Sequence, residues 1–334
     1  MRFPLLVAAA VALAALVAAQ ARASQLIDRD ATGVTLQVNA KGEALLTYTA
    51  HGRLRHVLAW GAINALPPTE GAAQVRLQLD YSGGYGKYFS QNPAAQKLAA
   101  AFRKIRYTPG YLASPLTRAL QQTQQAADLY WKTGFDGVCL PYDGPPIAWA
   151  VAECKAPDGS YWAVQEWQRE LPDYGVPATP SQSVMELRLS HWSGPLPVLT
   201  VHTDWSWRRW DHLYGSLTYL GQPAFGFLAD SGTPLDGFGR NVYIDTYDSV
   251  YGAGWRRENS ALTHRGTGVF CYSVNPHGSH PAGEGSRYRV TVIGPGVTPD
   301  VTWEGDAPGP FSAAADAEAN ARIAALHDTL CRPN

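Results

Sequence analysis

Short apolar runs separated by turns recur along much of this chain, and some alternate with polar residues at a period of two, a pattern that predicts β-strands. Between Gln74 and Tyr81, Val75, Leu77 and Leu79 share one side and polar residues occupy the other, as in a half-buried strand. Three shorter runs precede it, and turns containing Gly42 and Gly52 separate them, so residues 24–91 are predicted to form a β-meander. These runs are 34–38, 44–49 and 54–60.

The region after Cys139 continues in the same style, with short apolar runs between turns rich in glycine and proline. Many short strands at close spacing are typical of sandwich folds. The fold is therefore predicted to be mainly β (α+β at most), an antiparallel β-sandwich or a strongly bent sheet. The predicted strands are 149–153, 161–165, 183–190, 198–205, 217–220, 225–228, 242–247, 269–274, 288–293 and 301–303.

Two parts of the chain change to helical spacing. After Asn92, a candidate cap followed by Pro93, apolar residues recur every three or four positions, and a second helix is predicted to begin at Ser114. Residues 92–131 thus form a predicted helical hairpin insertion, and 312–330 a C-terminal helix. Residues 132–334 are predicted to be a disulfide-linked β-rich region that shares one continuous core with 24–91.

The first 23 residues have the composition of a secretory signal peptide. Arg2 precedes an apolar stretch, and Ala21-Arg22-Ala23 is a small-x-small cleavage motif. An uncleaved membrane anchor is the alternative, but residues 5–19 fall short of the roughly 20 needed to cross a bilayer. We therefore expect a secreted protein, extracellular or in the cell envelope, with no membrane attachment after cleavage.

Charge and composition narrow the classes of partner. Cleavage would remove Arg2 and Arg22 but no acidic residue, taking the net charge from −1 to about −3, so the basic surface of a nucleic-acid binder is not expected. Only 16% of residues are charged whereas 11% are aromatic. This balance suits an extracellular binding surface, and equally a large sheet protein with many cross-strand aromatic pairs.

The four cysteines predict disulfides, because the count is even in a chain expected to be exported. Cys139 and Cys154 close a short loop, which leaves Cys271 and Cys331 to tie the C-terminal helix to a strand. Zinc binding by these cysteines is not expected, since no CxxC pair is present.

The strongest candidate binding face lies in the stretch GRNVYIDTYDSVYGAGWRREN. In a strand over 241–247, Val242 and Ile244 form a core face, and the opposite face alternates polar groups with aromatic rings. Flat rings can cover the apolar face of a sugar while amides and carboxylates bond its hydroxyls. A scaffold role is the alternative. The candidate ligand-binding residues are Asn241, Tyr243, Asp245, Tyr247, Trp255 and Arg256.

Signatures of catalysis are weak. His277 and His280 lie three residues apart with Glu284 beyond, which is only a hint of a zinc site, so we expect no metal and no cofactor. Asp245 and Asp248 point in opposite directions along a strand, which argues against their use as a paired acid and base. The catalytic residues of any enzyme activity are therefore unknown, and enzyme activity stays uncertain.

Two segments carry a resemblance to a known group. CLPYDGPPIAWAVAECKAPDGSYWAVQEWQRELPDYG and GRNVYIDTYDSVYGAGWRRENSALTHRGTGVFCY resemble uncharacterised secreted proteins of GC-rich actinobacteria. The resemblance implies export and a shared fold, but no activity.

The sequence therefore favours a secreted non-enzymatic protein that binds carbohydrate or a cell-wall polymer. The alternatives are a secreted hydrolase of wall polymer or peptide, and a structural or interaction domain whose partner contacts the helical hairpin.

Overall fold

The computed structural model describes residues 24–69, 72–89, 93–106, 108–122, 135–207, 210–226 and 235–331. The predicted signal peptide, the cap at Asn92, residues 123–131 of the helical hairpin and positions 227–228 of one predicted strand lie outside these ranges.

The described chain is mainly β, as predicted, and its strands form four antiparallel sheets of four strands each. Sheet I has the order β1 (Gln25–Arg29), β8 (Glu186–Trp192), β7 (Tyr161–Trp167), β6 (Ala150–Lys155). Sheet II is the predicted meander: β2 (Thr32–Val38), β3 (Ala44–Ala50), β4 (Arg53–Gly61), β5 (Leu77–Asp80).

The other two sheets are built from the C-terminal half. Sheet III has the order β11 (Gln222–Pro223), β10 (Trp210–Tyr219), β14 (Val269–Val274), and β9 (Val198–Ser206) also pairs with β10. Sheet IV has the order β13 (Gly252–Ala261), β12 (Val242–Ser249), β15 (Arg287–Val292), β16 (Val301–Asp306). Strand β13 is therefore an edge strand, and β12 is covered by a neighbour on each side.

The α-helices lie within the regions predicted to be helical, but a π-helical turn over Tyr85–Phe89 falls inside the predicted meander. Helix α1 spans Pro93–Ile105, α2 is described over 115–122, and α3 spans Ala313–Ala325. The Ser312 hydroxyl caps α3 by accepting a hydrogen bond from the Ala315 N–H at 3.4 Å. Helix α3 stops before its predicted end at 330, and His327 shortly after takes a left-handed φ of 51°, which a continuing helix does not permit. None of the described helices has the length and apolarity needed to cross a membrane.

Apolar side chains of the described residues pack into two main clusters, each between a pair of sheets. The first joins sheets I and II and includes Leu46, Val57 and Trp162; the second joins sheets III and IV and includes Phe270 and Val290. The molecule thus contains two packed sandwiches, and the first combines strands from both sides of the helical insertion.

A buried charge network lies between the two sandwiches. The Arg169 guanidinium, just after β7, donates to both carboxylate oxygens of Asp300 at 2.9 Å. The Trp167 indole N–H donates to the same carboxylate at 2.9 Å, and all three side chains are buried. Because Asp300 immediately precedes β16, this ion pair holds sheet I against sheet IV.

The cysteines confirm one predicted disulfide and correct the other. Cys139 and Cys154 are bonded, with Cα atoms 5.1 Å apart. Cys271 and Cys331 are free thiols, so the predicted bond between them is wrong, although their side chains touch through a hydrogen bond. Sequence spacing correctly indicated that Cys271 and Cys331 lie together, but whether two adjacent thiols form a disulfide also depends on the redox environment.

Candidate functional site

The face predicted to be open is covered by a second layer over much of its length. Tyr243 has no exposed surface, and its ring packs edge-on against Trp167 with centroids 5.2 Å apart. Asn241 is equally buried and exchanges hydrogen bonds with Thr263. The expected exposure of this face is therefore wrong at Asn241 and Tyr243, because Trp167 at the end of β7 packs on Tyr243 and Thr263 binds Asn241.

Asp245 is also withdrawn from solvent, and its charge is already used. The Arg257 Nε–H donates to one carboxylate oxygen at 2.7 Å, and the Arg289 guanidinium donates to the other at 2.8 Å. A carboxylate held between two guanidinium groups has little capacity left for a ligand. Asp245 is thus buried rather than exposed as expected, while its contact with a ligand stays a prediction.

The remaining three candidate residues, Tyr247, Trp255 and Arg256, lie where the β12–β13 hairpin approaches solvent. Tyr247 and Trp255 are partners in register and pack with ring centroids 5.1 Å apart. The Arg289 and Arg287 guanidinium groups lie 4.3 and 5.6 Å from the Trp255 ring centroid. These four side chains, which we call the aromatic ladder, hold the Trp255 indole in a defined orientation.

Trp255 and Arg256 line a groove of about 450 Å³ beside the edge of β13. One wall is the hairpin itself, which also contributes Tyr251. The opposite wall is the segment 168–183, which we call the wall loop; apart from Gln168, the side chains it presents are small or apolar. These include Leu171, Pro172, Val176, Pro177 and Ala178.

Backbone hydrogen bonds attach the wall loop to the edge of β13. The Tyr174 N–H donates to the Glu258 carbonyl and the Gly175 N–H to the Arg257 carbonyl, both at 2.9 Å. Gly175 has a φ of +63°, and a Cβ there would lie 2.5 Å from Tyr251. Glycine is therefore needed at this point for the loop to approach the hairpin closely.

The wall loop was missed as part of a site by sequence reasoning. Its residues have no periodicity, and the only local signal is the cluster of prolines and glycine between Pro172 and Pro177. Such a cluster indicates a loop but not what the loop faces. The groove thus combines two residues that the sequence singled out with a wall that it did not.

A chain of titratable groups lies behind the groove. Glu258 is fully buried, and its Oε1 accepts a hydrogen bond from the Tyr272 hydroxyl at 2.8 Å. That hydroxyl is also 3.1 Å from the His277 Nε2. Burial raises the pKa of Glu258, an effect that the Tyr272 hydrogen bond only partly offsets. The Tyr272 hydroxyl therefore bridges the buried Glu258 carboxyl group and the His277 imidazole, which lies nearer the surface.

The two loop histidines are organised by stacking. His277 and His280 are joined by reciprocal backbone hydrogen bonds across a tight turn, and both imidazoles stack on the Tyr174 ring at centroid distances of 4.8 and 5.2 Å. Within the described ranges, no three metal-ligating side chains come together, here or elsewhere. The histidines thus hold the wall loop through Tyr174.

Comparisons with protein-family models, with curated proteins and with solved structures found no match for this chain.

Proposed function

We propose that this protein is an exported, non-enzymatic binding protein that holds a carbohydrate or cell-wall polymer in the groove between the wall loop and the β12–β13 hairpin. The observation that carries the proposal is the position of Trp255. Its indole is half-buried, lines the groove and is fixed by the aromatic ladder. A preorganised ring loses little conformational freedom when a sugar stacks on it.

The wall loop suits the same kind of ligand. Its prolines and small side chains leave an open channel with little rotamer freedom to lose, so an extended polymer could lie along it. The Cys139–Cys154 disulfide is compatible with an oxidising compartment. These features support a binding surface outside the cell.

Hydrolysis in this groove is the weaker alternative. None of the described side chains that line it is a carboxylate or an imidazole, and hydrolysis of a glycosidic bond ordinarily uses two carboxylic groups. Glu258 is buried behind the groove, and Asp245 is held by two guanidinium groups. A structural or interaction role of the helical hairpin is a separate prediction, to be tested by deleting that hairpin and measuring partner capture.

The proposal is tested by replacing Trp255 with alanine. The purified protein is incubated with insoluble peptidoglycan, chitin and cellulose, and the bound fraction gives the dissociation constant. We expect the variant to weaken binding by about thirtyfold, the loss of about 2 kcal/mol that is typical when a central aromatic contact is removed.

Trp60→Ala is the matched control. Trp60 is also a half-buried indole beneath a cation, with the Lys87 ammonium 3.8 Å from its ring centroid, but it lies on β4 in sheet II. This variant should bind like the unaltered protein. If the unaltered protein binds no polymer, or if both variants lose binding equally, the groove is not a polymer site.

A further inference from the structure

Among the described residues, the groove is lined by positively charged side chains and by no negatively charged ones. Of the side chains that line it, two carry formal charge, Arg256 and Arg257, and both are positive. Arg257 is buried, and its guanidinium already donates to Asp245 at 2.7 Å and to the Arg169 carbonyl at 3.2 Å. Of these two, Arg256 is the one exposed to a ligand, so direct contact with an anion in the groove depends on Arg256.

Arg256 is exposed, and no acidic group among the described residues forms an ion pair with it. The other guanidinium groups nearby are already paired: Arg287 with Glu304 at 2.8 Å, and Arg289 with Asp245 at 2.8 Å. Asp248 in the same hairpin accepts a hydrogen bond from the Gly254 N–H at 2.7 Å and does not line the groove. An anion in the groove would thus meet one available cation and no opposing carboxylate.

Arg256 is also well placed relative to the indole. It follows Trp255 directly, and successive side chains of a strand normally point to opposite sides. Here both reach the groove because it runs beside the edge of the sheet. A ring stacked on Trp255 could therefore direct a charged substituent toward Arg256.

We propose that the groove selects an acidic polysaccharide, a polymer whose sugar rings carry carboxylate groups. This inference rests on the proposed function and specifies its ligand class. The ring face packs on Trp255, and the planar guanidinium of Arg256 binds the carboxylate through paired hydrogen bonds, a geometry that an ammonium group does not reproduce. An extended acidic peptide that contains proline is the competing occupant.

The experiment compares two polymers with the same sugar backbone, polygalacturonate and its fully methyl-esterified form, in which each carboxylate is replaced by a neutral methyl ester. Dissociation constants are measured at low and at high salt for the unaltered protein, Arg256→Gln, Arg256→Lys and Arg53→Gln. Arg53 is an exposed arginine on β4 and serves as the control for a general loss of positive charge.

We expect the unaltered protein and Arg53→Gln to prefer the acidic polymer about tenfold at low salt, and to lose much of that preference as salt screens the pair. Arg256→Gln should bind both polymers equally, and Arg256→Lys should fall between. Equal binding of both polymers by the unaltered protein, still dependent on Trp255, would overturn the acidic inference and leave the proposed function standing.

Two other results would also overturn the inference. One is failure of the unaltered protein to bind polygalacturonate, whether or not it binds the other polymers. The other is tighter binding of a synthetic peptide of alternating glutamate and proline than of polygalacturonate. The proposed function fails separately, when the unaltered protein binds none of the insoluble polymers and neither form of polygalacturonate, or when its binding does not depend on Trp255, so the two failures are distinguishable.

Discussion

Glu258 is a buried carboxyl group beside the groove that forms no ion pair with any described residue, and burial raises its pKa. Its neighbours are the phenols of Tyr251 and Tyr272, and Asp173 adds a second negative charge nearby. Burial and this acid both favour the protonated form. Protonation of Glu258 therefore stabilises the native state.

The pH dependence follows from the raised pKa of Glu258. A carboxyl group that binds its proton more tightly in the folded chain stabilises the fold most below its unfolded value, near 4.5. The free energy of unfolding then falls as the pH rises from there through the folded value. The Glu258→Gln side chain is neutral at every pH. We therefore expect the free energy of unfolding of this variant to fall less, as the pH is raised from 4.5 to 8, than that of the unaltered protein.

Urea denaturation at several pH values measures this difference. Glu318→Gln, an exposed change on α3, should parallel the unaltered protein throughout. A Glu258→Gln variant whose stability falls as steeply as that of the unaltered protein would show that Glu258 does not set the dependence.

At the scale of single elements, the wall loop depends on one glycine. Gly175 and Gly33 have nearly the same φ, +63° and +62°, but a Cβ at 175 would meet Tyr251 at 2.5 Å, whereas one at 33 meets nothing within 4 Å. Gly33→Ala should therefore cost only the backbone strain, about 1 kcal/mol.

Gly175→Ala adds a steric clash to the same strain and should cost about 1–3 kcal/mol more. Because the loop must move away from Tyr251, polymer binding should weaken as well. Chemical denaturation and the polymer pull-down measure the two effects. Equal losses of stability in the two variants would mean that the loop moves aside without cost.

At the scale of the whole molecule, the pairing of Arg169 with Asp300 connects the two sandwiches. Both side chains are completely buried, so removing one leaves the other charged and without its partner. We expect Asp300→Ala to lower the free energy of unfolding by about 3–5 kcal/mol.

The exposed pair of Arg287 and Glu304 provides the comparison. Glu304→Ala should cost less than about 1 kcal/mol, because solvent screens that pair. Calorimetry of both variants tests the contrast, and separate transitions for the two sandwiches in Asp300→Ala would show that the buried pair couples them. A loss below about 1 kcal/mol in Asp300→Ala would contradict this role.

Much of the architecture was accessible from local patterns. Short apolar runs between turns located strands such as β3 and β14, an Ala-rich segment located α3, and cysteine spacing paired Cys139 with Cys154. These features depend on residues close together in the chain, which is why they can be predicted from sequence. Strand β13 is not among the predicted strands, because Gly252 and Gly254 interrupt its pattern.

The exposure of the site was decided only by the tertiary structure. Alternation placed Tyr243 and Asp245 on one face of β12, but it could not indicate that Trp167 and Arg169, some 75 residues earlier, would cover that face. The groove likewise forms where the wall loop meets β13, two segments that share no local signal. Periodicity tells which side chains point the same way, whereas burial depends on which distant segment packs against them.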